Sequence, residues 1–480
     1  MSKNPGLHGP ARLCIAAAAT ALVAGCAVGP AYEKPEVPQM ATEFRSPQAV
    51  STASSMADLS WWQVFDDKQL QALVNQALAN NLDLKVAVAR IDQARALVGV
   101  AGSQRKPQIG YTADGGAAES VLPLSVGVDS VQYAGASGGL NFFWELDLWG
   151  RVKNTKTSAQ ASLLAQEDVR RGVLLSLVGD VASGYFRLLA LDRELAIAEE
   201  SAGVYGRNVD LFTQRFDAGR DTRLPLERAQ ANLAGAEDRI ADLKRAIGQQ
   251  ENLINVLLGN FPGPVARGRA LTEQTRPETA VGLSSDLMQR RPDIRAAEQL
   301  MVKANAEVGI AAASYFPRIG LSAFFGARTV DIEGVVNDSF NVWNVAGTIA
   351  GPLFTGGRVS QSKANREAYW DETVAQYRKT ILVAFQETSD VLIARQALDD
   401  RRAALERQVQ ALQRSVDLAN QRYEGGRSSY FEVLDAEQQL FPAQYALTQV
   451  QRDQLLVIVN LYKALGGGWK LEPEGWVSPN

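Results

Sequence analysis

Residues able to do covalent chemistry are scarce in this chain. Its 480 residues hold one histidine, His8, and two cysteines, Cys14 and Cys26. His8 and Cys14 fall within residues 1–25, where Lys3 and Arg12 accompany the apolar run from Cys14 to Val23. That run is too short to span a bilayer, which takes about 20 apolar residues, and it has the form of a signal peptide. With residues 1–25 removed, no histidine remains for a catalytic triad. A single thiol, Cys26, can build neither an internal disulfide nor an ordinary zinc site. Paired carboxylates are what is left. Glu145 and Asp147 are the nearest candidates, and they fall on the polar face of a strand-like run, where they would line a pore. No catalytic residue, metal site or cofactor is expected.

The charge balance excludes a second class. The net charge of −4 moves to −6 when Lys3 and Arg12 leave with the signal peptide, since no acid goes with them. Neither value gives the basic footprint of a nucleic-acid-binding protein.

What remains is the chemistry of turns and of charges placed by long elements. Gln214-Arg215-Phe216-Asp217-Ala218-Gly219-Arg220 returns as Gln421-Arg422-Tyr423-Glu424-Gly425-Gly426-Arg427, 207 positions later. Glycine at the end of a helix supplies the left-handed backbone that reverses the chain. Polar helix starters follow, Asp221-Thr222 and Ser428-Ser429, and Pro225 suits a first turn. Each copy therefore reads as the tip of a helical hairpin. The repeat spreads outward: Arg151-Val152 matches Arg358-Val359 and Leu258-Gly259 matches Leu465-Gly466, again at 207. Upstream, Asp83-Leu84 resembles Asp293-Ile294 and Pro107-Gln108-Ile109-Gly110 resembles Pro317-Arg318-Ile319-Gly320, at 210. Constant offsets over long blocks mark a duplicated unit.

The elements of that unit follow from periodicity. Trp61 to Phe65 is an aromatic patch that needs burial, and Asp66-Asp67 offers a cap to the helix carrying Leu70, Leu73, Val74, Ala77 and Leu78. A second helix is expected near Leu84–Ala101, with its repeat near Ile294–Ala311. At Pro107 the period switches to two. Ile109, Tyr111 and Ala113 alternate with Gln108, Gly110, Thr112 and Asp114, and Leu140, Phe142, Trp144, Leu146 and Leu148 alternate with Asn141, Phe143, Glu145 and Asp147. Ile319 to Ala327 and Trp343 to Ile349 repeat the pattern. These are four amphipathic strands of about ten residues, the length of a tilted strand crossing a bilayer. Four strands cannot close a barrel, and an open edge in lipid costs several kcal/mol for each unpaired backbone group. Arg151 to about Asp217 contains no proline and keeps a heptad seam through Leu174, Leu177, Val181, Gly184, Leu188, Leu191 and Leu195. Its counterpart is about Ser360 to Tyr423, with Ile381, Ala384, Val391 and Leu398. Helices of that size reach about 100 Å, wider than any ordinary globular core. The returning helices are about Leu224–Leu258 and Phe431–Leu465.

Four stretches carry a resemblance. Val23-Ala24-Gly25-Cys26 resembles a bacterial lipoprotein box, with Cys26 lipidated and Ala27 after it pointing to the outer membrane. The duplicated strand and hairpin units are the second feature. Gln289-Arg290-Arg291-Pro292-Asp293-Ile294 and Leu461-Tyr462-Lys463-Ala464-Leu465-Gly466-Gly467-Gly468-Trp469 complete the set. From Trp61 to Trp469 the chain is similar to the outer-membrane factors of TolC type, closest to the lipoprotein branch serving resistance-nodulation-division efflux pumps.

The resemblance implies a mostly α fold with a membrane β-barrel. Three chains would join their strands into a twelve-strand barrel on a periplasmic α-helical tunnel. The divisions are then a lipoprotein signal peptide (1–25), a lipidated tether (26–60), a first repeat (61–259), a linker (260–290), a second repeat (291–466) and a tail (467–480). It further implies an exit duct lipid-anchored in the outer membrane through Cys26. Its partners would be two further copies, outer-membrane lipids, a periplasmic adaptor and an inner-membrane pump. The two tips would form the periplasmic mouth, with Asp435 as a ring of gate charges, Phe431 as an apolar constriction and Tyr423 as a hydrogen-bonding latch. Ala218, Gly219, Arg220, Gly425, Gly426 and Arg427 are the candidates for adaptor contact. A stand-alone porin, a type I secretion duct, a periplasmic adaptor and a paired-carboxylate enzyme are the alternatives. Four strands are too few for an ordinary porin, and an adaptor would carry one hairpin rather than a duplication.

Overall fold

The computed structural model of the chain describes residues 28–36, 56–120, 131–277, 287–329 and 340–468. The helices and strands, in order, are α1 (Trp61–Val64), α2 (Lys68–Asn80), α3 (Leu82–Ser103), β1 (Gln108–Ser120), β2 (Val131–Leu146), α4 (Arg151–Asp217), α5 (Arg223–Leu257), α6 (Leu287–Arg290), α7 (Pro292–Ala313), β3 (Arg318–Thr329), β4 (Phe340–Ala350), α8 (Arg358–Glu424) and α9 (Tyr430–Ala464). The duplication is exact in length. α4 and α8 each have 67 residues, α5 and α9 each 35, and α3 and α7 each 22. The starting residues are 207 apart for the first two pairs and 210 for the third.

Two compact units divide the described residues, and each draws on both repeats. The first comprises Arg90–Gln166, Ala296–Tyr377 and the described part of Met1–Glu36. Its sheet is antiparallel in the order β1-β2-β3-β4. One face is apolar across all four strands: Tyr111 lies opposite Leu140, Leu140 opposite Phe325, and Phe325 opposite Trp343. That face is exposed, as the alternation requires if something other than this chain covers it. β2 runs 16 residues, longer than the ten or so expected.

β2 also ends earlier than the alternation suggests, and this corrects the role of the paired carboxylates. Leu148 and Asp147 lie beyond the strand. The Asp147 carboxylate accepts the backbone N–H groups of Val152 (2.9 Å) and Lys153 (2.7 Å), capping the first turn of α4. Glu145 is held by Arg151 through two hydrogen bonds, at 2.9 and 2.7 Å. The two acids fasten a strand to a helix; neither is free to line a pore. Next to them Trp149 stacks on Phe316, with ring centres 4.7 Å apart, and donates to the Pro317 carbonyl at 2.7 Å.

Residues 28–36, expected as part of a free tether, are extended but fastened along this unit. Val28 N–H donates to the Trp149 carbonyl, Asn305 to the Pro30 carbonyl, and Lys34 pairs with Glu298 at 2.7 Å. Cys26 and the proposed signal peptide lie outside the described residues.

The second unit comprises Glu167–Arg295, Arg378–Asn480 and Val37–Ala89, in their described parts. The aromatic patch is buried as its composition demands: Trp61, Val64 and Phe65 join Leu70, Leu73 and Val74 in a core with Leu174, Val181, Leu188, Ile254 and Tyr462. Asp67 organises the surrounding polar groups. It caps α2 through Gln69 N–H (2.8 Å) and Leu70 N–H (3.2 Å). It also accepts from the Tyr185 hydroxyl, Arg269 N–H and the Gln274 amide. The described part of the 260–290 linker is thereby pinned to the helices. The apolar seam of α4 packs on α5, and Gly184 makes room for it. A methyl group there would stand 3.2 Å from the Ile254 side chain. Among the described residues α4 alone has an apolar stretch long enough to cross a membrane, but 72% of that stretch is buried within the protein. It is core.

The two short stretches that carried the resemblance meet here. Arg291 is buried, donates to the Ala464 carbonyl at 3.0 Å, and pairs with Asp293 (2.7 Å) and Glu387 (2.8 Å). Gly466 takes a left-handed φ of 69° against the backbone of Arg290. The first repeat makes the same joint with a neutral donor: Asn81 donates to the Leu257 carbonyl at 3.0 Å, and Gly259 sits against Asn80. Arg291→Ala leaves the Ala464 carbonyl without this donor and Glu387 without this partner. It should cost about 1.5–3 kcal/mol, read as a lower midpoint of helix loss on heating or in denaturant. An unchanged midpoint would show that the joint is dispensable.

Candidate functional site

Both hairpin turns are closed by the same backbone device. α4 ends at Asp217, and Gly219 follows at φ 63°. Gly219 N–H donates to the Phe216 carbonyl (2.9 Å) and Arg220 N–H to the Arg215 carbonyl (2.8 Å). In the second turn Gly426, at φ 66°, donates to Tyr423 (2.9 Å) and Arg427 to Arg422 (2.8 Å). This paired pattern satisfies the last carbonyls of a helix and needs glycine at the left-handed position. Ala218, Gly219, Arg220, Gly425, Gly426 and Arg427 are all exposed, and the space beyond Gly219 and Gly426 is open.

The residues after the turns differ from a simple cap. Thr222 and Ser429 occupy the N-cap positions of α5 and α9 but make no side-chain cap bond. Asp221 lies 3.6 Å from Arg215, and in the other hairpin Arg422 lies 3.5 Å from Glu432.

A pocket of about 470 Å³ opens beside the turns, lined by Phe212, Arg215, Pro225, Arg228, Tyr423 and Phe431 among others. Two of the three expected gate residues therefore share one wall. The Tyr423 ring lies edge-on to Tyr430, 4.9 Å between centres, with the Arg215 guanidinium 5.4 Å from its own centre. Its hydroxyl is buried without a hydrogen-bond partner among the described residues, and packing and cation–π attraction hold the ring. Phe431 is 59% exposed, with Arg228 6.0 Å from its ring. Asp435, one turn further along α9, is exposed and accepts from Gln439 at 2.8 Å. It is not among the pocket's lining residues. Gln438 donates to Asn232 at 3.0 Å.

A buried polar contact between the two hairpins involves residues that sequence reasoning passed over. The Tyr430 hydroxyl donates to the Asn208 carbonyl oxygen, and the Asn208 amide donates to the Glu437 carboxylate at 3.2 Å. This chain joins α4 to α9. Phe212 closes over it, edge-on to Tyr430 at 5.2 Å. Burial pushes the Glu437 carboxyl above the ordinary carboxylate range, against the opposing effects of the Asn208 hydrogen bond and the Arg207 charge. Burial also raises the Tyr430 hydroxyl, which keeps it a donor. A signal was available. Tyr205, Asn208 and Phe212 are spaced three and four apart, so Asn208 is a polar residue on a buried stripe, and Glu437 is another on α9. Among the described residues no group of three or more His, Cys, Asp or Glu could hold a metal ion.

A family model described as "Outer membrane efflux protein" matches residues 73–260 and 283–467, one span on each repeat. The chain belongs to that family. This efflux protein is 35% identical to the probable efflux pump outer membrane protein TtgC of Pseudomonas putida, over 93% of this chain and 94% of that one. It is 31% identical to the cation efflux system protein CusC of Escherichia coli K12, over 95% and 98%. Its fold is similar to the open state of the Neisseria gonorrhoeae MtrE outer membrane channel, with a TM-score of 0.78 and 30% identity over 93% of this chain and 99% of that one. It is thus an outer-membrane component of an efflux system, and its mostly helical fold is that of such channels.

Glu437 gives the tip a pH dependence whose sign follows from burial. The folded state binds this proton more tightly than the unfolded chain does. Its contribution to stability is therefore greatest below the ordinary glutamate pKa of about 4.3 and falls as pH rises through the raised folded value. Glu437→Gln keeps the Asn208 contact and removes the charge. The variant should melt at or above the wild-type temperature at neutral pH, with the difference closing toward pH 4. A variant that melts lower at neutral pH would show that the ionised carboxylate stabilises the tip.

Proposed function

We propose that this efflux protein is a passive exit duct, built from three copies and lipid-anchored through Cys26. An inner-membrane pump delivers substrate to it through a periplasmic adaptor. The observation that carries this reading is the sheet: its apolar face is exposed and, among the described residues, its two outer strands, β1 and β4, have no partner strand on their outer sides. A membrane sheet with open edges is too costly to persist. Closure by further copies satisfies both edges and leaves the apolar face to lipid. Membership of the outer membrane efflux family supports the same arrangement. The catalytic readings lose their basis, because Glu145 and Asp147 are committed to Arg151 and to the α4 cap. Cargo is set upstream: the five methionines and the lack of a histidine after residue 25 give no reason to expect a copper or silver relay here.

At the proposed periplasmic mouth, Asp435 supplies a ring of like charge and Phe431 an apolar constriction. The exposed turns receive the adaptor. Arg220 and Arg427 each offer several donors beside a glycine that leaves room for a partner helix end.

Asp435→Ala should raise the single-channel conductance of purified trimers in planar bilayers several-fold. Conductance equal to wild type would remove Asp435 from the gate. Arg220→Glu combined with Arg427→Glu reverses the charge at both turns and leaves their backbone bonds in place. Cells carrying the pair should lose drug resistance while the protein still assembles in the outer membrane. Normal resistance would reject the docking role of the turns.

A further inference from the structure

The strand registers show how the two halves of the sheet are related. In β1·β2, Gln108 lies opposite Phe143; in β3·β4, Arg318 lies opposite Ala350. β3 is therefore β1 moved by 210 positions and β4 is β2 moved by 207, the offsets that also relate the helices. One junction inside the chain joins the halves: β2 pairs with β3, placing Phe142 opposite Ala323 and Leu146 opposite Ile319. Among the described residues the matching junction, between a β4 and a β1, is not made, because these are the two ends of the sheet.

We infer that β4 of one copy pairs with β1 of the next in the register that the duplication carries over from β2·β3. Ile349 then lies opposite Ala113 of the neighbouring copy, and Leu353 opposite its Ile109. The inference rests on the closed-barrel reading above and adds the residue-by-residue alignment of its seam.

Two observations independent of the duplication favour this register. The first is the face each side chain occupies. Tyr111, Phe325 and Trp343 all belong to the apolar face, so odd-numbered positions of β1 and β4 share it. Side chains alternate along a strand, so a slip of one residue would place apolar β4 positions beside polar β1 positions. Pairing 349 with 113 keeps the apolar face continuous across the seam. The second is exposure. Leu353 is fully exposed, at 105%, just beyond the end of β4, and Ile109 is 72% exposed at the start of β1. The inferred register sets these two against each other, as Leu146 is set against Ile319 within the chain. Pro352, which has no N–H, ends the hydrogen-bonded ladder one step earlier, so Leu353 and Ile109 meet through their side chains.

Paired cysteines test the register in the full-length protein in its membrane. Ile349→Cys is combined in turn with Ala113→Cys, Tyr111→Cys and Gly115→Cys, and a short thiol cross-linker is applied; the single variants set the background. Directly opposed Cβ atoms lie about 5 Å apart and those displaced by two residues about 7–8 Å, so the Ala113→Cys pair should give about tenfold more covalent oligomer. A maximum at Tyr111→Cys or Gly115→Cys, with native mass spectrometry still reporting trimers, overturns the register and leaves the closed barrel standing. Monomers alone by native mass of the wild-type protein overturn the barrel and the register together. Should the cysteine variants fail to assemble, a side-chain-resolution density map of the wild-type assembly reads the seam directly. Ile349 beside Ala113 upholds the inference, and any other neighbour overturns it.

Discussion

A backbone amide in hydrocarbon has nothing to bond to except another backbone. In the proposed barrel, that constraint falls on two places, the outer edges of β1 and β4. Tyr111, Leu140, Phe325 and Trp343 keep one face apolar across the sheet. Asp147 and Glu145 stop β2 and start α4 within a few residues, through a cap and an ion pair that use up both carboxylates. Trp149 fastens that corner to Phe316 and Pro317 of the other repeat. Glu145 and Asp147 are thus both engaged in holding the corner between β2 and α4.

Duplication explains the scaffold, and its failures locate the specialised parts. The helix lengths and the glycine turns agree between repeats to the residue. The inter-hairpin contact does not. At the positions equivalent to Asn208, Tyr430 and Glu437 stand Ser415, Arg223 and Gln230. The first repeat therefore supplies one member of this hydrogen-bonded chain and the second supplies two, so the contact exists once per copy. A buried polar chain is strong when complete and costly when broken, because each group was desolvated to make it. An element that is to have two states needs such a contact at the place where the states differ.

Much of the fold was legible because it rests on strong, local signals. Proline-free length, a three-four apolar spacing and a glycine at the end located α4 and α5 almost to the residue. Pro107 and Pro317 marked where the period changes from helix to strand. The site was less legible. Asp147 was misread because alternation continues past the true strand end, and only geometry tells a strand's polar face from a helix cap. Asn208 and Glu437 are single polar residues within apolar stripes, a weak signal among many exposed polar positions. Tyr423 was expected to make a hydrogen bond, whereas its ring is what the structure uses: the guanidinium of Arg215 and the edge of Tyr430 claim it.

The two tips differ in the side chains they contribute at equivalent positions. Phe216 occupies the place of Tyr423 in the first repeat, Leu224 that of Phe431, and Arg228 that of Asp435. Phe431 and Asp435 thus have no aromatic or acidic counterpart on the first hairpin, which contributes Arg215 and Arg228, each facing an aromatic ring of the second. Cations on one hairpin and rings on the other form a contact that tolerates sliding, since a ring face attracts a guanidinium over a range of positions. The hydrogen-bonded chain through Asn208 tolerates none. Together they suit a joint that is held by one directional contact and guided by two loose ones. Removing the directional contact should therefore free the second hairpin to move along the first without unfolding either helix.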